Sequence, residues 1–373
     1  MTASAQSASF PSVSVVIPTY QEADNIPLLV ERIARLREEH HLKLELLIMD
    51  DDSKDGIEEV VRELQHPWIR LTVRTENRGL GPAVVDGMHL ARNDVLVCMD
   101  ADLSHPPEAI PELLEALSQD YDFVIGSRYV DGGSTDEHWG LLRRLNSRVA
   151  TLLARPFTVA KDPMSGFFAL RRETFAAARD LNPIGYKIGL ELLVKARCEF
   201  IKEVPIHFTD RQLGESKLTL TEQLRYLQHL RRLFIYRYGG WAHFSQFAVV
   251  GGLGTVVNLA ILTVLNLLAI PLTIAVAVAI AGAMVFNFIL NRRFTFSYAR
   301  QGSLLRQFAG FVGASSVGAV ANYAVTLALI RQWAFLARFP QAAALAGIAA
   351  GMFINFGISR YLVFRKPRRP GPE

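Results

Sequence analysis

Asp100 and Asp102 stand one residue apart at the end of the apolar run Val95-Leu-Val-Cys-Met99 and open the segment Asp-Ala-Asp-Leu-Ser-His-Pro106. Carboxylates are hard oxygen ligands, and a pair of them with few other protein groups suits Mg²⁺ or Mn²⁺ shared with the phosphates of a substrate. Side chains alternate along an extended strand, so both acids reach one ion only where the chain turns, which Pro106-Pro107 permits. Position adds weight, because an open α/β sheet binds its ligands at the carboxyl ends of its strands. A solvated strand end is the competing reading, since Asp is common in turns.

The elements that must hold this pair read as strands alternating with helices. Val13–Ile17, Leu44–Met49, Ile69–Val73, Val95–Met99 and Phe123–Gly126 are short apolar runs, and a helix is expected from about Asn25 to Glu38, where Leu28, Leu29, Ile33 and Leu36 share a face. This alternation predicts an α/β domain with a mostly parallel sheet. The strands end in Pro18-Thr-Tyr-Gln-Glu22, Asp50-Asp-Asp-Ser-Lys-Asp-Gly56, the acid pair and Ser127-Arg128-Tyr129. The third strand, followed by Asn77-Arg-Gly-Leu-Gly81, reads as the exception without a polar residue directly after it. Polar ends converging on one edge describe a nucleotide site that has neither a P-loop nor a G-x-G-x-x-G loop.

Charge divides the 373 residues sharply. From residue 223 onward there are 15 Lys and Arg against a single acid, Glu373, a net of +14; the first 222 residues carry a net of −10, and the total is only +4. A basic half can signal nucleic acid, but this one is also intensely apolar, so membrane is the better reading and no nucleic acid is expected. No Asp, Glu, Lys or Arg occurs from Tyr238 to Asn291, from Gln307 to Ile330, or from Phe339 to Ser359. The first run is long enough to cross twice, at roughly 20 residues per helix, and the others once each, giving four spans. Arg231, Arg232 and Arg237 precede the first span, Arg292, Arg293, Arg300 and Arg306 separate the second and third, and Arg365, Lys366, Arg368 and Arg369 follow the fourth. Positive-inside bias then puts the N-terminal half, the middle loop and the tail in the cytoplasm. The first 12 residues are polar and show no secretory signal, and Cys98 and Cys198 read as reduced core thiols.

The apolar half also looks duplicated. Gln246-Phe-Ala248 recurs as Gln307-Phe-Ala309, and Asn287-Phe-Ile-Leu-Asn-Arg292-Arg-Phe-Thr-Phe296 is echoed by Asn355-Phe-Gly-Ile-Ser-Arg360-Tyr-Leu-Val-Phe364. Two helical hairpins of the same orientation are expected. Gly251, Gly252, Gly254, Gly313, Ser315, Ser316 and Gly318 favour close helix packing, with Asn258, Asn287, Asn322 and Asn355 making hydrogen bonds between helices. Before the first span, Leu220, Leu224, Leu227 and Phe234 fall near one helical face among Arg225, Arg231, Arg232 and Arg237. A basic amphipathic helix on anionic lipid is the functional reading, and a helix packed on the first domain is the alternative.

These motifs resemble the family-2 glycosyltransferases of GT-A fold, in particular the dolichol-phosphate mannose synthases and their polyprenyl-phosphate relatives. The resemblance runs from Val13 to about Lys217 and includes Asp162-Pro-Met-Ser-Gly-Phe167 and Asp210-Arg-Gln-Leu-Gly-Glu-Ser-Lys217; the second half is similar to GtrA-type four-helix membrane domains. It implies a polar tail at 1–12, a catalytic domain at 13–217, a juxtamembrane helix at 218–237, a transmembrane domain at 238–364 and a basic tail at 365–373. It further implies that Pro18, Tyr20, Glu22, Met49 and Asp51 border the nucleoside. Asp100, Ala101 and Asp102 then meet the diphosphate, with Asp100, Asp102 and Ser104 around a Mg²⁺ or Mn²⁺ ion. Arg128, Arg211 and Lys217 complete the donor site. Arg128 and Arg143, with Ser147, are assigned to the acceptor phosphate, and a surface ion pair is the alternative for any single Arg. Two departures stand out: Gln21 replaces a usual Asn, and Asp52 replaces a smaller or neutral residue.

The reaction so implied moves mannose from GDP-mannose to dolichyl or polyprenyl phosphate in the cell membrane, with the catalytic domain cytoplasmic. A lipid monophosphate is already mostly anionic at pH 7, so it requires no dedicated base, and inversion by direct displacement is expected. UDP-glucose as donor is the near alternative. A flippase role for the membrane half would need ionisable groups along its path, and a processive synthase would carry Q-x-x-R-W, which Gln228-His-Leu-Arg-Arg232 does not match. No obligate protein partner is inferred.

Overall fold

The computed structural model describes residues 10–136, 141–209 and 220–365. The chain folds as two compact units, Met1–Arg237 and Tyr238–Glu373. The segment expected as a separate juxtamembrane element thus belongs to the first.

In the first unit, β1 (Val13–Thr19), β2 (Leu44–Asp50), β3 (Ile69–Val73), β4 (Val95–Cys98), β5 (Phe123–Ser127), β7 (Phe168–Arg171) and β8 (Ile201–Pro205) form one sheet in the order β3-β2-β1-β4-β7-β5-β8. A separate two-strand ribbon pairs β6 (Ser134–Thr135) with β9 (His207–Phe208). All pairings are parallel except those of β7, which runs antiparallel to both β4 and β5. The five strands expected from sequence are all present, and β7, inserted between β4 and β5, and β8, at the edge beside β5, are additions.

Helices cover both faces. On one face α1 (Ile26–Glu39), α2 (Ile57–Leu64) and α4 (Ile110–Ser118) pack through Ile33, Leu36, Ile57 and Leu113 against Val13, Val15 and Ile17. On the other, α3 (Leu80–Leu90), α6 (Arg172–Ala177) and α7 (Ile188–Lys195) pack through Val84, Met88, Phe175 and Leu192 against Val16 and Met49. Successive β1 residues therefore serve opposite cores, as the two-residue period of a strand requires. A Cβ on Gly87 would stand 2.4 Å from Val16 and 2.9 Å from Met49, so α3 lies this close to the sheet only because it has a glycine there.

A third cluster joins α5 (Leu141–Ala154) and α7 to α8 (Leu220–Tyr238), with Ala154, Phe157, Met164, Leu190, Leu230 and Leu233 at its centre. The Tyr226 hydroxyl donates to the Ala150 carbonyl at 2.7 Å. One face of α8 is thus packed on the first unit, as the alternative reading held, while Leu224, Leu227 and Arg225 on the other face are exposed. The side chain of Leu220 lies outside the described residues.

The second unit contains four long apolar helices, α9 (Gly240–Leu267), α10 (Leu272–Leu290), α11 (Leu304–Gln332) and α13 (Pro340–Ile358), with the short α12 (Ala334–Arg338) before the last. α10 and α13 both continue into a π-helical turn, Asn291–Thr295 and Ser359–Val363. These turns fall on the two copies of the echoed motif, and each closes with the same bond, Phe296 N to Asn291 O and Phe364 N to Ser359 O. The rings of Phe296 and Phe364 stack at 4.7 Å, and the crossed pairs Phe288–Phe364 and Phe296–Phe356 lie at 6.2 and 6.1 Å. Equivalent residues meeting equivalently define an internal two-fold relation, with both hairpins pointing the same way.

Of the small residues singled out from sequence, Gly254 and Gly318 lie at helix contacts: a Cβ at Gly254 would stand 2.1 Å from the Asn287 side chain, and at Gly318 2.8 Å from the Gly351 carbonyl. Gly251, Gly252 and Gly313 have open space where a Cβ would sit, so they do not set helix spacing. Asn355 donates to Ser315 across helices at 3.3 Å, whereas Asn322 accepts from Thr326 one turn along its own helix.

Candidate active site

Val95 to Met99 is buried, and the chain leaves the sheet after Cys98. Asp102 is almost fully buried and accepts from the Ser104 amide at 3.1 Å and the Ser104 hydroxyl at 2.5 Å. Leu103 takes a φ of +61°, a conformation unusual for a leucine, and supplies the turn between the acids and Ser104. Asp100 is the more open of the pair. Its amide donates to His105 Nδ1 at 3.2 Å. An Nδ1 that accepts leaves the ring proton on Nε2, so His105 is neutral, and burial pushes its pKa down. The imidazole, packed between Phe167 and Phe208, anchors the backbone of Asp100, and its Nδ1 also lies 3.6 Å from an Asp100 carboxylate oxygen.

Facing the acids is the loop Asp162-Pro-Met-Ser-Gly166. A Cβ at Gly166 would stand 3.2 and 3.3 Å from the two Asp100 carboxylate oxygens, so the glycine keeps a hollow open beside them. Two carboxylates, one hydroxyl and that hollow fit a hard divalent cation. Among the described residues no cluster of three or more His, Cys, Asp or Glu gathers, so such an ion would draw further ligands from elsewhere.

Asp162, fully buried at the start of the loop, takes both Arg128 Nε at 2.7 Å and Arg128 Nη2 at 2.8 Å, together with the Arg128 amide at 3.1 Å. Asp162 and Lys161 in turn donate their amides to Glu203 on β8, at 2.8 and 2.7 Å. Arg128 is thus a buried ion-pair partner whose orientation is fixed, and its acid comes from 34 residues away. Ser147 joins this region through a 2.6 Å hydrogen bond to the Tyr129 hydroxyl. Lys187, at the N-terminal end of α7, donates to the Met164 carbonyl of the same loop at 3.3 Å.

Curated relatives align with 61% to 94% of this chain. Residues 14–177 match the model of glycosyl transferase family 2 and residues 246–364 that of the GtrA/DPMS transmembrane domain. The dolichol-phosphate mannosyltransferase of Pyrococcus furiosus is 39% identical over 357 residues, 94% of this chain and 99% of its own. Enzymes of the same name from Mycosarcoma maydis and Saccharomyces cerevisiae are 45% and 44% identical over 62% and 61% of this chain, and 82% and 88% of theirs. The chain belongs to the dolichol-phosphate mannosyltransferase family. It is a glycosyltransferase with a multi-pass membrane domain.

The donor-pocket residues of this mannosyltransferase family are not equally placed here. Pro18 is the penultimate residue of β1, Tyr20 is exposed just beyond the strand, and Glu22 accepts from Asn25 at 2.6 Å. Met49 is fully buried beneath Gly87, because its position on β2 points into the core under α3. Asp51 is held by Arg74 and by the Gly79 amide at 2.6 Å. Arg74 follows β3 directly and also bonds Asp86 at 2.9 Å, so the third strand ends in a polar residue after all. Asp52 sits at a φ of +55° between Lys54 and Arg78. Ala101 is buried between the two acids. Arg211, Lys217 and the side chain of Arg143 lie outside the described residues.

Sequence reasoning misses His105, Arg74 and Lys187 as parts of the site. His105 lies inside the motif already singled out and Arg74 directly follows a strand, so both carried a readable signal. Lys187 had none beyond its neighbouring glycines.

Proposed function

We propose that this chain transfers mannose from GDP-mannose to a polyprenyl monophosphate, with inversion at the anomeric carbon, at the cytoplasmic face of the cell membrane. The observation that carries the reading is the acid pair beside the Gly166 hollow at the carboxyl edge of the sheet, on one chain with four apolar spans. The choice of mannose rests on the names of the relatives.

Asp100, Asp102 and Ser104 would hold Mg²⁺ or Mn²⁺, which when bound neutralises charge on the departing diphosphate. His105 fixes the Asp100 backbone and Ser104 fixes the Asp102 carboxylate, so the acids need not reorganise when substrate arrives. The lipid phosphate, already an anion, attacks without a base. Arg128, locked by Asp162, and Ser147, bonded to Tyr129, stand on the acceptor side. An apolar surface adjoins them: Leu145, Val149 and Leu152 on α5 are exposed, as are Leu224 and Leu227 on α8, with Arg148 and Arg225 among them. This two-helix face, basic and apolar, rests on the bilayer and brings the site to the depth of lipid headgroups.

The test is a donor panel with purified full-length protein, a short polyprenyl phosphate and Mg²⁺ or Mn²⁺. Mannosyl transfer from GDP-mannose with a β-linked product is expected. Transfer from UDP-glucose alone would overturn the donor, and an α-linked product would overturn inversion.

A further inference from the structure

Lys187, unlike Arg128 and Arg74, is a part-buried cation without a carboxylate of its own among the described residues. Arg128 has Asp162, and Arg74 has Asp51 and Asp86. The Lys187 ammonium has a single hydrogen-bond partner, the Met164 carbonyl, two residues from the Gly166 hollow beside Asp100. A part-buried ammonium held only by a neutral carbonyl is expensive, and burial together with the nearby Arg128 charge lowers its pKa to about 8. Fixing the Met164 carbonyl requires only a neutral donor, so the charge itself calls for another explanation. The acids within its field, Asp162 and Asp100, are committed to Arg128 and to the metal position. What fits is an anion that arrives from solution. A compact ammonium binds a phosphate oxygen well as a point charge.

We infer that Lys187 is a substrate-binding residue whose ammonium contacts a phosphate oxygen in the cleft between Asp100 and the 162–167 loop. The inference rests on the transfer reaction proposed above, which brings two such groups, the nucleotide diphosphate and the lipid monophosphate. In either case the contact offsets the repulsion between two anions that must approach each other.

The experiment measures kcat and the KM of each substrate for wild type, Lys187→Met and Lys187→Arg, with melting temperatures alongside. Wild-type protein that transfers nothing to polyprenyl phosphate would refute the reaction itself. With wild type active, Lys187→Met is expected to raise one KM by about tenfold or more, the loss of one charged hydrogen bond, with Lys187→Arg restoring most of it. A rise in the nucleotide-sugar KM assigns the contact to the diphosphate, and a rise in the lipid KM assigns it to the acceptor. Unchanged kinetics in Lys187→Met, or equal losses in both variants with parallel falls in melting temperature, would overturn the inference. The pH profile gives a second readout. The groups facing Lys187 are Arg128, Asp162 and Asp100. Its ammonium is present below about 8 and lost above it, so wild-type kcat/KM falls as pH rises through that value. The Lys187→Arg profile is expected to lack this fall, and a parallel fall would count against the contact.

Discussion

The two units handle buried polar groups in opposite ways. In the catalytic unit, charges are drawn into the protein and, Lys187 apart, the best-buried ones are paired: Asp162 to Arg128, Asp51 to Arg74, Glu191 to Lys195 at 2.5 Å. In the membrane unit the four spans use amides, hydroxyls and small residues, and their cohesion comes from rings that meet their own repeat partners. Asn287, Asn291, Asn322 and Asn355 line a cavity of about 230 Å³ there, and the Asn287 and Asn291 side-chain oxygens have no hydrogen-bond partner among the described residues. The difference follows from the solvent on either side. Beside water an ion pair can be assembled and completed by substrate, whereas in lipid an ionised side chain has little to offset its transfer.

That contrast can be broken at several points. The largest effect belongs to the metal-binding acids: Asp100→Ala and Asp102→Ala are each expected to cut kcat/KM by about a thousandfold or more. Circular dichroism and melting should remain near wild type, and an active Asp100→Ala enzyme would remove the basis of the site. Next comes the locked pair. Asp162→Asn strands Arg128 and should cost about 3–5 kcal/mol of stability, as removing one partner of a buried pair does; denaturant titration of the first unit's tryptophan signal measures it. Gly166→Ala is milder and more selective, since the methyl group enters the hollow at Asp100 without disturbing the cores. A loss of about tenfold in turnover, about 1.4 kcal/mol, with unchanged melting is expected from kinetics. In the membrane unit, Phe296→Leu and Phe364→Leu should couple by about 0.5–1.5 kcal/mol in a double-mutant cycle on detergent-solubilised protein. Strict additivity would mean the two-fold stack holds nothing together. Smallest of all, Asn355→Ala should cost about 0.6 kcal/mol or less, the usual worth of a hydrogen bond between membrane helices.

Much of this was legible in the sequence, for reasons that differ between the units. Apolar runs ending in acids revealed β1, β2 and β4, because a buried strand and a polar tip are both local properties. Uncharged stretches revealed the spans, and the paired Asn–Arg–Phe motifs revealed the repeat that the rings of Phe296 and Phe364 complete. The central antiparallel β7 was hidden, since Phe168–Arg171 is four residues long and its partners come from elsewhere in the chain. Pairings over distance were hidden likewise. Nothing beside Arg128 announces Asp162, and nothing beside Met49 announces that Gly87 will close over it. The same gap explains why α8 reads as a single amphipathic face: its second apolar face, Leu230 and Leu233, has meaning only once α5 and α7 are in place.

The crossed phenylalanines imply something about modularity. Because each hairpin is finished off by rings from its twin, neither copy is a complete folding module, yet the ring contacts between the copies involve no residue of the loop from Arg300 to Ser303 that joins them. Severed there and supplied as separate polypeptides, the halves retain every complementary surface required to find one another, much as two protomers of an ancestral dimer would.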